Sequence, residues 1–93
     1  MILKKRGEEQ KSNMLNRLKT ILPANATLLS FEYNKNIFGN IVVVIKVANV
    51  KHTFITDRGE IYHNGKLLCD SSYHYLEKED TFSKLLQMMR REL

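Results

Sequence analysis

GEIYHNGKLLCD, Gly59 to Asp70, is the stretch on which the fold of this chain turns. Asn64-Gly65 sits between two short runs with strand character. A two-residue type I′ turn needs positive φ at both central positions, which Asn and Gly tolerate. The stretch is therefore expected to form a hairpin of strands 60–63 and 66–70. A two-residue turn also sets the pairing: His63 against Lys66, Tyr62 against Leu67, Ile61 against Leu68 and Glu60 against Cys69. Each face of the hairpin then carries an apolar pair, Ile61 with Leu68 on one and Tyr62 with Leu67 on the other.

Working upstream, Asp57-Arg58-Gly59 is a turn signal, and VKHTFIT before it reads as another strand. IVVVIKVA, residues 41–48, is rich in β-branched side chains whose stiffness suits a pleated surface, so it is expected to be the central strand. Its alternate residues divide into Ile41, Val43, Ile45 and Val47 on one face and Val42 and Val44 on the other. Only a residue or so around Asn49 separates it from the next strand, which implies another hairpin. ATLLSFEY alternates as a strand with one buried face requires, and residues 34–40 connect it to the centre.

Helical spacing appears at the two ends. Met14, Leu15, Leu18, Ile21 and Leu22 form a stripe over residues 8–22 that Pro23 stops. Asp80 is placed to cap a last helix whose Phe82, Leu85, Leu86, Met89 and Leu93 recur at i, i+3, i+4, i+7 and i+11. The order is α-β-β-β-β-β-α. Short connections imply an antiparallel five-stranded meander of the α+β class, flanked by N- and C-terminal helices lying on one face.

Ninety-three residues, 43% apolar and 27% charged, with four glycines and one proline, are expected to make a single domain over 1–93, residues 1–7 forming a flexible basic arm. One cysteine, Cys69, excludes an internal disulfide and suits a reducing compartment, so the cytoplasm is the expected location. MILKKRG lacks the apolar stretch of a signal peptide, and the run 41–45 is far short of the ~20 residues that span a bilayer, so no membrane role is expected.

The net charge is +5, and residues 1–19 hold +4 of it, as Lys4, Lys5, Arg6, Lys11, Arg17 and Lys19 outnumber Glu8 and Glu9. Those six cations are the candidate contacts for an acidic protein surface or for nucleic-acid phosphates, where they would replace counterions. Tyr73-His74-Tyr75 adds rings on which single-stranded bases could stack, or which could pack the final helix. With both helices on one face, Val42, Val44, Tyr62 and Leu67 are left as an apolar patch on the other. That patch is the candidate interface for self-association or a protein partner.

Catalytic chemistry has thin support. His52, His63 and His74 with Cys69 offer atoms zinc could use, but no two close ligand pairs occur, so no metal and no cofactor are expected. Ser71 or Ser72 with His74 and Asp70 lacks any glycine elbow. A metal-independent ribonuclease-type toxin would ask less: His63 or His74 as base and Arg58, Arg90 or Arg91 for phosphate. The leading expectation is a non-enzymatic regulatory or inhibitory protein acting on a protein partner, with nucleic-acid binding and then the ribonuclease as alternatives.

Overall fold

The structure, a computed structural model, describes the backbone of residues 2–34, 40–72 and 80–93, and the side chains of these from Gln10 onward. Helix α1 (Ile2–Ile21) leads into strands β1 (Ala26–Asn34), β2 (Asn40–Val47), β3 (Val50–Asp57), β4 (Glu60–His63) and β5 (Lys66–Cys69), and helix α2 (Thr81–Glu92) ends the chain. The strands form one sheet in the order β1-β2-β3-β4-β5, every neighbour antiparallel. The α+β meander expected from the pattern is thus the fold.

Three consecutive hairpins use one device. Ala48-Asn49, Arg58-Gly59 and Asn64-Gly65 each have positive φ at both residues, 49° and 68°, 52° and 86°, and 49° and 84°. That is the condition of the I′ turn, whose twist matches the strands it joins. Turns this short leave no slack, so register passes from one strand to the next.

The core lies on one side of the sheet. Ile41, Val43, Ile45, Phe54 and Ile61 from alternate strand positions are buried together with Met14 and Leu18 of α1 and Phe82, Leu85, Leu86, Met88 and Met89 of α2. Both helices therefore cover the same face. Thr56, on that face but at its margin, is buried with its hydroxyl accepting from the Ile41 amide at 2.9 Å, which meets the rule that an enclosed polar group needs a partner. The end of α2 follows its expected stripe, while Lys84 and Met88, one helical turn apart on a second stripe, are buried too.

Three expectations are corrected. The backbone of residues 2–7, expected as an arm, is the first part of α1; Gly7, unfavourable by ~1 kcal/mol inside a helix, does not interrupt it. The β4–β5 register shifts between Ile61 and Tyr62, so Ile61 pairs with Cys69 rather than Leu68, and Glu60 does not oppose Cys69. Leu68 becomes the extra residue of a bulge, and both Leu68 and Cys69 pack partly buried against the core. Finally β5 stops at Cys69, because Asp70 Oδ1 accepts from the Ser72 amide at 2.9 Å and turns the chain.

Candidate functional site

Burial of Ile41, Val43, Ile45, Phe54, Thr56 and Ile61 on the helix side puts their sequence neighbours on the opposite face. Register then lines those neighbours up across the sheet. One row runs Glu32, Val42, Ile55, Tyr62, Leu67 through all five strands. A second runs Ser30, Val44, Thr53. Leu67 is 47% and Ile55 38% exposed, and Val42, Val44 and Tyr62 are partly buried. Among the described residues neither helix places a core side chain on this face.

The four residues expected as an interface, Val42, Val44, Tyr62 and Leu67, are therefore neighbours on one open surface. Ile55 was missing from that set. The signal was present in VKHTFIT, where Ile55 alternates with Phe54, but its row depended on whether the preceding turn held one residue or two. Ala48-Asn49 resolves it by pairing Val42 with Ile55.

Charges bracket the apolar row along the strands. Lys46 and Lys51 pair with one another at one end, beside Thr27, and both are exposed. Asp57 and Glu60 pair at the other end, with Glu32 on the β1 edge. The Tyr62 hydroxyl donates to Glu60 Oε1 at 3.1 Å, and that bond to a carboxylate holds the phenol pKa above its ordinary value.

The N-terminal cations are not gathered. Lys11, Arg17 and Lys19 are all exposed on α1, yet at about 100° per residue Arg17 and Lys19 point about 160° apart, with Lys11 on a third bearing. Arg17 is also engaged within the fold: its Nη2 donates to Ser83 Oγ at 3.2 Å and its guanidinium lies 5.0 Å over the Phe82 ring. Lys4, Lys5 and Arg6 belong to the helical backbone, and their side chains lie outside the described residues.

A cleft of about 450 Å³ opens between α1 and the start of α2, lined by Asn13, Met14, Arg17, Tyr33, Asp80 and Phe82. Its two charged groups, Arg17 and Asp80, meet through Ser83. Asp80 Oδ1 accepts from the Ser83 amide at 2.7 Å, Ser83 Oγ donates to Asp80 Oδ2 at 3.2 Å, and Arg17 donates to Ser83. The cleft is a capped helix start tied to its neighbour.

The histidines also have structural surroundings. His52 Nδ1 and His63 Nε2 are 2.8 Å apart, their rings stack at 5.1 Å, and His63 stacks on Phe54 at 4.5 Å, on the helix side of the sheet. Partial burial, reinforced by charge on His52 and Lys66 and opposed by Glu92, lowers the His63 pKa below its usual 6.5. Among the described residues no three His, Cys, Asp or Glu side chains converge on a metal position. His74, Tyr73 and Tyr75 lie outside the described residues. Asp70 and Ser72, weighed as parts of a catalytic set, instead hold the turn after β5, and those bonds keep the Asp70 carboxyl below its usual pKa. Arg90 and Arg91 are exposed in the last turn of α2, and Arg58 sits in its I′ turn. Among the described helices none is long and apolar enough to cross a membrane. Comparison of the chain with protein-family models, with curated proteins and with solved structures finds no match in any of the three.

Proposed function

We propose that this chain is a non-enzymatic regulatory or inhibitory binding protein whose protein partner docks on the open face of the sheet. One observation carries this: Val42, Ile55, Tyr62 and Leu67 form a contiguous apolar row across four strands on the face turned away from the core. Apolar rows of that extent are costly to leave in water and mark interaction surfaces on small soluble domains. Among the described residues, Asp80, Asp70 with Ser72, and His52 with His63 are engaged in a cap, a turn and a ring stack. The basic helix α1, on the far side, adds a field that favours approach to acidic surfaces.

The test is recovery of a stoichiometric protein partner by the tagged chain after nuclease treatment, compared with Ile55→Lys. The expected result is retention by the wild type and at least a tenfold loss by the variant, with unchanged circular dichroism. Loss of every partner after nuclease would make nucleic-acid phosphates the target and overturn the proposal.

A further inference from the structure

The open face has a property that specifies one occupant. Its charge is antisymmetric about the middle of the sheet. Val43 and Phe54 pair on the core side at the centre of the β2–β3 hairpin. Three residues towards the turn from these lie Lys46 and Lys51; three residues the other way lie Asn40 and Asp57, with Glu60 paired to Asp57. One end of the face carries Lys46 and Lys51, the other Asp57 and Glu60 on either side of the Arg58-Gly59 turn, a net negative charge, and an apolar belt lies between.

We propose that this face docks on a second copy of the chain, the strands of the two copies running in opposite directions, with Lys51 of each copy over Asp57 of the other and Lys46 and Glu60 flanking that contact. This goes beyond the protein-binding function proposed above by giving the same face a second occupant.

A symmetric pair of face-to-face sheets needs a two-fold axis lying in the plane between them. If that axis ran along the strands, the cationic ends would meet each other and so would the anionic ends. An axis perpendicular to the strands, level with Val43 and Phe54, brings each cationic end onto an anionic one. Across that axis Val42 and Val44 exchange places, and Ile55, Tyr62 and Leu67 interdigitate beside them. Side chains on facing sheets pack in this manner about 10 Å apart, with the strands offset by about 30°. Like charges brought together cost binding free energy and suppress the wrong arrangement, so the charges select orientation while the apolar belt supplies affinity.

Size sets the strength. Five strands about 4.8 Å apart, and the six-residue span from Lys51 to Asp57 at about 3.3 Å per residue, outline a face about 20 Å on a side. Two such faces bury on the order of 1,000 Å², the low end of specific interfaces. The dimer is therefore reversible and concentration-dependent, and a foreign partner using the same face competes with it.

Sedimentation equilibrium of the full chain, from low micromolar to millimolar concentration, tests this. The expected mass rises from one chain to two, and Ile55→Lys stays at one chain with an unchanged far-ultraviolet spectrum. Two charge variants examine the orientation: Lys46→Glu with Lys51→Glu, and Asp57→Lys with Glu60→Lys. Each alone should weaken the dimer at least tenfold at low salt, and an equimolar mixture should restore a heterodimer, because every facing pair is then opposite in sign. A wild type that stays monomeric overturns the homodimer. So does a dimer that survives Ile55→Lys, or a pair of charge variants that mixing does not rescue. A monomer that still captures a protein partner through Ile55 ends this inference and leaves the proposed function standing. A dimer without any further partner does the reverse.

Discussion

Asn64 and Thr53 are joined twice. The Asn64 amide donates to the Thr53 carbonyl at 2.9 Å, and the Thr53 amide donates to Asn64 Oδ1 at 2.8 Å. The first residue of the β4–β5 turn therefore also continues the β3–β4 ladder, its side chain standing in for a strand carbonyl. Two hairpins share one residue, which couples their registers. Asn64→Gly keeps the permitted φ and loses only the side-chain bond, so it should cost about 1 kcal/mol, with water able to reach the exposed Thr53 amide. Asn64→Ala also places a Cβ residue without local compensation in the left-handed region and should cost about 1 kcal/mol more. Urea unfolding of the two variants measures the difference; equal stabilities would show that the side-chain bond carries all of the asparagine's effect.

Ala48 is the opposite case. At φ 49° it occupies a conformation that asparagine or glycine adopts with less strain, and nothing in its side chain compensates. Ala48→Gly removes the steric cost while adding unfolded-chain entropy, and the balance should be stabilising by up to about 1 kcal/mol. For a domain of this size that raises Tm by about 4–8 °C at most. A lower Tm in the variant would mean that the methyl group makes a contact worth more than the strain.

These turns explain what could be read in the chain beforehand and what could not. Asn64-Gly65 announces itself, because both residues belong to the small set that tolerates positive φ. Ala48-Asn49 does not, since alanine carries no such signal, and the β2–β3 register with Ile55's place in the open row stayed hidden behind it. The helices and the buried face of β2 follow from periodicity, which is a property of long segments. The bulge that turns Cys69 rather than Leu68 towards Ile61 is different: one added residue in a four-residue strand leaves no periodic trace. Gly7 and a cluster of cations masked the beginning of α1 in the same way. Of the candidate site, Val42, Val44, Tyr62 and Leu67 were legible from alternation and one turn, whereas the end-to-end separation of charge needed the registers of three hairpins.

Asp80 ties the two helices together. Both of its carboxylate oxygens engage Ser83, one through the Ser83 amide in an N-cap, and Arg17 of α1 reaches the same hydroxyl. Asp80→Ala leaves first-turn amides of α2 to water and should cost about 1 kcal/mol. Asp80→Asn retains the cap acceptor but not the favourable charge at the helix start and should recover more than half of that loss. Thermal unfolding of the pair checks the ordering; an asparagine variant as unstable as the alanine would assign the effect to charge rather than to the cap.

The His52–His63 pair sets a pH dependence whose direction follows from its surroundings. Only one proton can occupy the 2.8 Å line between Nδ1 and Nε2, so the pair is held by one donor and one acceptor nitrogen. Around His63 stand the Phe54 ring, the His52 imidazole and Lys66, opposed by the charge of Glu92 near the end of α2. Partial burial is the largest cause of its lowered pKa, and charge on His52 is the next. Between that depressed value and about 6.5 the unfolded chain binds a proton that the folded chain refuses, so stability falls as pH drops through this window. Above about pH 6.5 both states are neutral at this position and its contribution is complete. His63→Phe keeps a ring for stacking on Phe54 and removes the proton site, so its unfolding free energy should be flatter between pH 7 and pH 5 than that of the wild type. His52→Phe should flatten it less, since it removes the charge on His52 but leaves the burial of His63. Denaturant midpoints across that range provide the measurement, and a wild-type slope unchanged by either substitution would place the acid sensitivity in other groups; Asp70, whose folded-state pKa is lowered, loses its contribution only at lower pH.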